Sequence, residues 1–213
     1  MVKRFLFLLV CLYMASASFA ADESPNARQA RRIFDKAYAQ VFGPQGSSFR
    51  YEVNIIGIYK TKGSIWMKEK KQRFSDERVD TWNDGVTAYM VYRKKKTIEV
   101  HDANSDKKDK YSGKFKFTLD DFSYHIAEDD QDLLITLKQK KGAKGSIKEV
   151  RAWIDRRTLA PLRLRIKVAF IWTTVKITDF HAGNVSDQFF VFPKDKYGKD
   201  YKVVDRRSKQ TSH

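Results

Sequence analysis

The sequence predicts a mainly β fold, one long antiparallel sheet with very few helices, and three observations predict it. From Ser48 onward apolar and polar residues alternate with period two in one short segment after another, the spacing of strands wet on one face and apolar on the other. Tight turns join these segments, and Asn83-Asp84-Gly85 is the strongest short hairpin signal among them. Only one stretch ahead of them, Ala30, Ile33, Phe34, Ala37 and Val41, repeats at three- and four-residue spacing. A sheet of this length must curl.

The bulk numbers fit one domain. The chain has 213 residues, 42% hydrophobic and 32% charged, with only 4 Pro and 10 Gly, which leaves no room for a long flexible linker and gives a core that needs no staples. Residues 1–20 stand apart as an expected signal peptide. Lys3 and Arg4 precede the apolar run Phe5 to Met14, and the small residues of Ala15 to Ala20 suit a cut after Ala20. The mature domain is then 21–213. Cys11 is the only cysteine, and Val10 before it is not the small residue that a lipid-attachment motif requires. The mature chain is therefore expected to have neither disulfide nor thiol chemistry, which suits a bacterial periplasm. The formal charge is +16; without Lys3 and Arg4 it is about +14. Such a balance predicts either attraction to anionic surfaces or a solvated basic face.

Taken in order, Ser24-Pro25 starts a helix, with Ser24 as cap and Pro25 in the first turn, and Gly43-Pro44-Gln45-Gly46 ends it. Phe49, Tyr51, Val53 and Ile55 alternate in a first strand; Gly63–Lys68 is a second, and Gln72–Trp82 a third that leads into the Asn-Asp-Gly turn. Val86–Tyr92 answers it, and Lys94-Lys95-Lys96 leads to Thr97–His101. Ala103–Gly113 is a polar loop, and the aromatic-rich Phe115–Ile126 reads as a short helix around Leu119–His125 or as irregular packing. Leu133–Lys138, Ile147–Asp155, Pro161–Trp172 and Thr174–Phe180 complete the sheet before the tail, which contains Asp187–Pro193 and Tyr201–Arg207.

Pro161–Trp172 carries the clearest pattern. Leu162, Leu164, Ile166, Val168, Phe170 and Trp172 fall on one side, with Arg163, Arg165 and Lys167 on the other. One amphipathic helix plus the segment around Leu119–His125 is modest cover for so much apolar sheet. Two architectures satisfy the pattern: a curled sheet around an apolar cavity, and an ordinary helix-on-sheet core that is filled.

Several chemistries find no support. His101, His125, His181 and His213 have no metal-ligand spacing. Asp102–Asp106 starts like a calcium loop but has Lys107 in place of the turn glycine and Gly113 in place of the closing glutamate. Glu128–Asp132 is an acidic turn. No nucleophile motif, phosphate loop or zinc signature is present, so no enzyme and no cofactor is expected. The clusters Lys68–Arg73, Arg93–Lys96 and Lys138–Lys144 are expected to meet anionic headgroups or to serve solubility. Export argues against nucleic acid as the partner.

Four features together resemble the periplasmic LolA-like lipoprotein-carrier family. They are the Ala30–Val41 helix after a signal segment, the strand Gly63-Ser64-Ile65-Trp66-Met67-Lys68, the turn and strand Asp84–Tyr92, and the closing pattern Lys176–Phe180, Asp187–Phe192 and Val203-Val204-Asp205-Arg206. The resemblance implies an incomplete β-barrel with a helical lid over a hydrophobic cavity. It implies a carrier that takes acyl chains of lipoproteins from an inner-membrane releasing complex to an outer-membrane receptor, or a non-transferring sensor or interaction module of the same fold. By the resemblance, Trp66, Tyr89, Val91, Leu164, Ile166, Val168 and Phe170 line the cavity, with Ile33 and Phe34 facing it from the helix. The family's arginine-proline latch for the lid has no counterpart in Lys68–Arg73, which leaves Arg73 as the candidate latch.

Overall fold

The computed structural model describes residues 24–55, 59–103 and 118–207. The expected signal peptide, the polar loop from 104 and the aromatics Phe115 and Phe117 lie outside the described residues. Helix α1 spans Pro25–Phe42. The Ser24 hydroxyl accepts the Ala27 N–H at 3.1 Å, and the Gly43 N–H closes the far end on the Ala39 carbonyl at 2.8 Å, so both ends are capped as the residue types predict.

Among the described residues twelve strands follow, in one sheet: β1 (Ser47–Ile55), β2 (Tyr59–Lys68), β3 (Lys71–Asp76), β4 (Val79–Asn83), β5 (Thr87–Tyr92), β6 (Thr97–Asp102), β7 (Phe122–Asp129), β8 (Asp132–Gln139), β9 (Ile147–Asp155), β10 (Pro161–Val168), β11 (Ile171–Ala182) and β12 (Lys202–Asp205). Their spatial order is β12-β6-β5-β4-β3-β2-β1-β11-β10-β9-β8-β7. Two meanders are therefore joined where β1 pairs with β11. Every pairing is antiparallel except β12 on β6, which is parallel. The sheet is unclosed, with β7 and β12 at its edges.

Its curvature is set by α1. At the start of the helix, the Asn26 side chain exchanges two hydrogen bonds with the Ile126 backbone of β7, at 2.8 and 2.9 Å. At the other end, Ser47 of β1 donates to the Val41 carbonyl at 2.9 Å, and the Glu69 N–H beyond β2 bonds the Phe42 carbonyl at 3.0 Å. The helix thus bridges an edge of the sheet and its middle like a chord, and the face beneath it is concave.

Three readings of local structure are corrected. Gln72–Trp82 is two strands, because the Asp76 carboxylate accepts the backbone N–H groups of Arg78 and Val79 at 2.7 and 2.8 Å and turns the chain. Leu119–His125 is neither a helix nor irregular. One 3-10 turn, Leu119–Asp121, leads into β7. Pro161–Trp172 ends at Val168, and a two-residue turn, Ala169-Phe170, follows with Ala169 at φ 53°. No Gly, Pro or Asn marks that turn. Beyond it the even-numbered residues change face, so Trp172 lies opposite Lys167 on the basic side.

Register carries the two faces across the sheet, since paired residues share a side. On the concave face Leu164 lies opposite Val175, Val175 opposite Val53, Phe49 opposite Ile65, and Ile65 opposite Phe74. On the convex face Trp66, Arg73, Trp82, Tyr89 and Val100 form one row. Each face has its own core. Under α1, Ala30 and Ala37 pack with Tyr124, Ile135, Leu137, Val150, Ala152 and Ile154. On the convex side Trp82, Val91 and Ile98 pack with Tyr89 and with Phe192, Tyr197 and Tyr201 of the C-terminal segment.

Candidate functional site

Under α1 the concave face is fully buried on β7, β8 and β9, with Ile135 and Leu137 completely so, and it is buried again at Ser47, Tyr51, Ile177, Ala88 and His101. Elsewhere on the same face, apolar residues are only half-buried: Leu164, Ile166 and Val168 on β10, Val175 on β11, Phe49 and Val53 on β1, Ile65 and Met67 on β2, Phe74 on β3 and Met90 on β5. They form an apolar wall, interrupted by Thr173, Thr61 and Thr81. Ile33 and Phe34 of α1, like Leu164, Ile166 and Val168, pack against the buried cluster under the helix, and Phe34 meets Tyr124 edge-on at 5.9 Å.

The floor of the wall carries a polar point at Tyr51, beside Asp76, which accepts from the Thr61 hydroxyl at 3.2 Å. Tyr51 is buried and stacks on Phe74 at 5.4 Å. Its ring lies over Gly63, where a Cβ would stand 2.6 Å from the tyrosine hydroxyl and 2.2 Å from the Ser75 carbonyl. Only glycine fits there. The hydroxyl has no hydrogen-bond partner among the described residues. Burial, with Asp76 adding to it, pushes its pKa well above the usual tyrosine value.

Of the predicted cavity residues, Ile33, Phe34, Leu164, Ile166 and Val168 all pack against the cluster under α1. Trp66, Tyr89 and Val91 do not, because the register turns them to the convex face. Phe170 stands at the tip of the β10–β11 turn, 84% exposed. Arg73 is on the side opposite α1 and does not latch it; its guanidinium lies 4.8 Å over the Trp66 ring, 5.4 Å over Trp82 and 6.0 Å over Phe189. The wall residues that sequence reasoning missed, Ile65 among them, follow the same alternation one position out of step. In Ile65-Trp66-Met67 both faces are apolar, so alternation alone could not choose between them.

What Arg73 holds instead is a C-terminal strap. Asp187 receives Lys68 at 2.9 Å and Lys71 at 3.0 Å, and these hydrogen bonds lower its carboxyl pKa. Phe189 stacks on Trp66 at 6.0 Å. Phe192 lies flat on Tyr89 at 4.3 Å and on Tyr197 at 5.5 Å. Burial pushes the Tyr197 hydroxyl up to about 12. Lys96 then holds Asp200 at 2.6 Å, and β12 adds to the edge of β6.

No group of three or more metal-ligating side chains is found among the described residues. No described helix is long and apolar enough to cross a membrane.

A long unclosed sheet curled around one helix, with an apolar concave wall, defines a half-barrel. That architecture agrees with the incomplete barrel and helix expected from the LolA-like resemblance. Solved structures similar to this chain include an uncharacterised conserved protein from Thermus thermophilus, at 11% identity over 84% of this chain and 99% of that one, with a TM-score of 0.56. A putative outer membrane lipoprotein-sorting protein domain from Vibrio parahaemolyticus matches at 11% identity over 81% and 99%, with a TM-score of 0.43. A LolA superfamily protein from Nitrosomonas europaea matches at 8% over 78% and 98%, with a TM-score of 0.39. No family model and no curated protein matches the sequence.

Proposed function

We propose that this protein is a non-catalytic periplasmic carrier that shields the acyl chains of a lipoprotein or another lipid on its concave wall. The observation that supports it is the half-buried state of the wall from Leu164 through Val53 and Ile65 to Phe74. A filled core would bury these side chains as it buries Ile135 and Leu137. Each methylene taken from water contributes about 0.8 kcal/mol, so an acyl anchor crossing an aqueous gap needs such a surface. The fold shared with lipoprotein-sorting proteins and the expected signal peptide fit that role, and a releasing complex and a receptor would be its membrane partners.

Two measurements test the proposal: mass spectrometry of lipids that co-purify with the native protein, and uptake of a hydrophobic fluorophore by the delipidated form. Co-purifying lipid and saturable uptake are expected. Protein that carries no lipid and takes up no dye would reduce the wall to a surface of the fold and leave the interaction-module reading in its place.

A further inference from the structure

We propose that one rim of the half-barrel, the β10–β11 tip together with the β8–β9 turn, docks on an anionic membrane surface with Phe170 inserted. Phe170 is 84% exposed at the apex and Ile171 beside it 38%. Among the described residues no protein surface covers that apolar ring. The tip is fixed to the neighbouring turn, since the Ala169 N–H bonds the Ser146 carbonyl at 3.3 Å. That turn exposes Lys140, Lys141 and Lys144. Immediately behind the tip on the convex face, Trp172 is surrounded by Arg165 at 4.9 Å, Arg151 at 5.1 Å and Lys167 at 5.8 Å.

Among the described residues the acidic groups of this rim are few, and two of them are engaged by arginines. Glu149 accepts from Arg151 at 2.7 Å, Asp120 from Arg31 at 2.9 Å, and Asp121 stands at the start of β7. The rim is thus an apolar point within a collar of cations, with an indole at headgroup depth. That is the chemistry of a segment that seats in an anionic bilayer surface. From the apex, Ile171 and Val168 pair across the hairpin and continue onto the concave wall, so an acyl chain has an apolar path from bilayer to wall. That purpose rests on the carrier reading, but the docking itself does not.

The test is co-sedimentation with vesicles of phosphatidylethanolamine and phosphatidylglycerol, and with phosphatidylcholine vesicles, at low and high salt. Dye uptake is measured in parallel without vesicles. The protein is expected to sediment with the anionic vesicles only and to be released by salt. Phe170→Glu should weaken partitioning about tenfold or more, and Lys140→Glu, Lys141→Glu and Lys144→Glu about fivefold each, all with dye uptake intact. Thermal unfolding checks that each variant folds. Normal docking without dye uptake sinks the carrier reading and leaves this proposal standing. It is overturned if Phe170→Glu sediments like the wild type, if binding ignores lipid charge and salt, if Phe170→Glu also loses dye uptake, or if a single-stranded oligonucleotide displaces the protein from vesicles.

Discussion

The ring of Tyr89 lies face to face with that of Phe192, 4.3 Å between centroids and 5° between planes. This contact places Tyr89, Trp82 and Trp66 under the C-terminal strap on the convex side, while Phe49 and Phe74 face the concave wall.

On the wall, Val175→Glu is expected to reduce dye uptake about tenfold or more, since a carboxylate placed there must be desolvated by any acyl ligand. Lys176→Glu, the next residue along β11 and exposed on the other face, should leave uptake unchanged. Fluorescence titration of the two variants, with circular dichroism to confirm the sheet, checks the assignment of faces. Equal loss in both would refute it.

For the strap, Phe192→Ala should destabilise the protein by about 2 kcal/mol or more, removing a half-buried ring and its stacking on Tyr89 and Tyr197. Dye uptake should persist under native conditions. Urea denaturation measures the first and fluorescence the second.

Arg73→Ala separates a strap anchor from a lid latch. Its guanidinium covers two indoles and the Phe189 ring, contacts of about 0.5–1 kcal/mol each when partly exposed. A loss of about 1–2 kcal/mol in stability is expected, with uptake rates unchanged. A latch on α1 would show the reverse, faster uptake and release at near-constant stability.

The Asp187 carboxyl has its pKa lowered by hydrogen bonds from Lys68 and Lys71. A group with a depressed native value contributes its stability above the unfolded value, near 3.9, and loses it as pH falls through the native one. Acid titration of Trp66 fluorescence should therefore show the strap loosening below about pH 4. In Asp187→Asn that acid step should be absent and the strap looser at neutral pH.

Much of this was legible in the sequence, and the part that was not has a specific cause. Ser24, Pro25 and Gly43 mark α1 because capping and ring geometry act locally, and Asn83-Asp84-Gly85 marks its turn for the same reason. The turn at Ala169-Phe170 has no such residues, and a two-residue connection carries the alternation straight through, so Phe170 and Trp172 looked like a continuation of Ile166 and Val168. Ile65-Trp66-Met67 is apolar on both sides because the strand has the wall on one face and the strap on the other. Alternation tells only that two faces differ, and here they do not. Which face met α1 depended on pairing with β11, well over a hundred residues away in sequence.

That pairing has a kinetic consequence. β1, which follows directly on the helix, hydrogen-bonds on one side to β11, with Ser47 opposite Ala182, and the convex face of the first meander waits for Phe189, Phe192 and Tyr197. The N-terminal half cannot complete itself while the chain is still emerging. Such long-range closure is slow, so the first meander settles only when the last strands arrive.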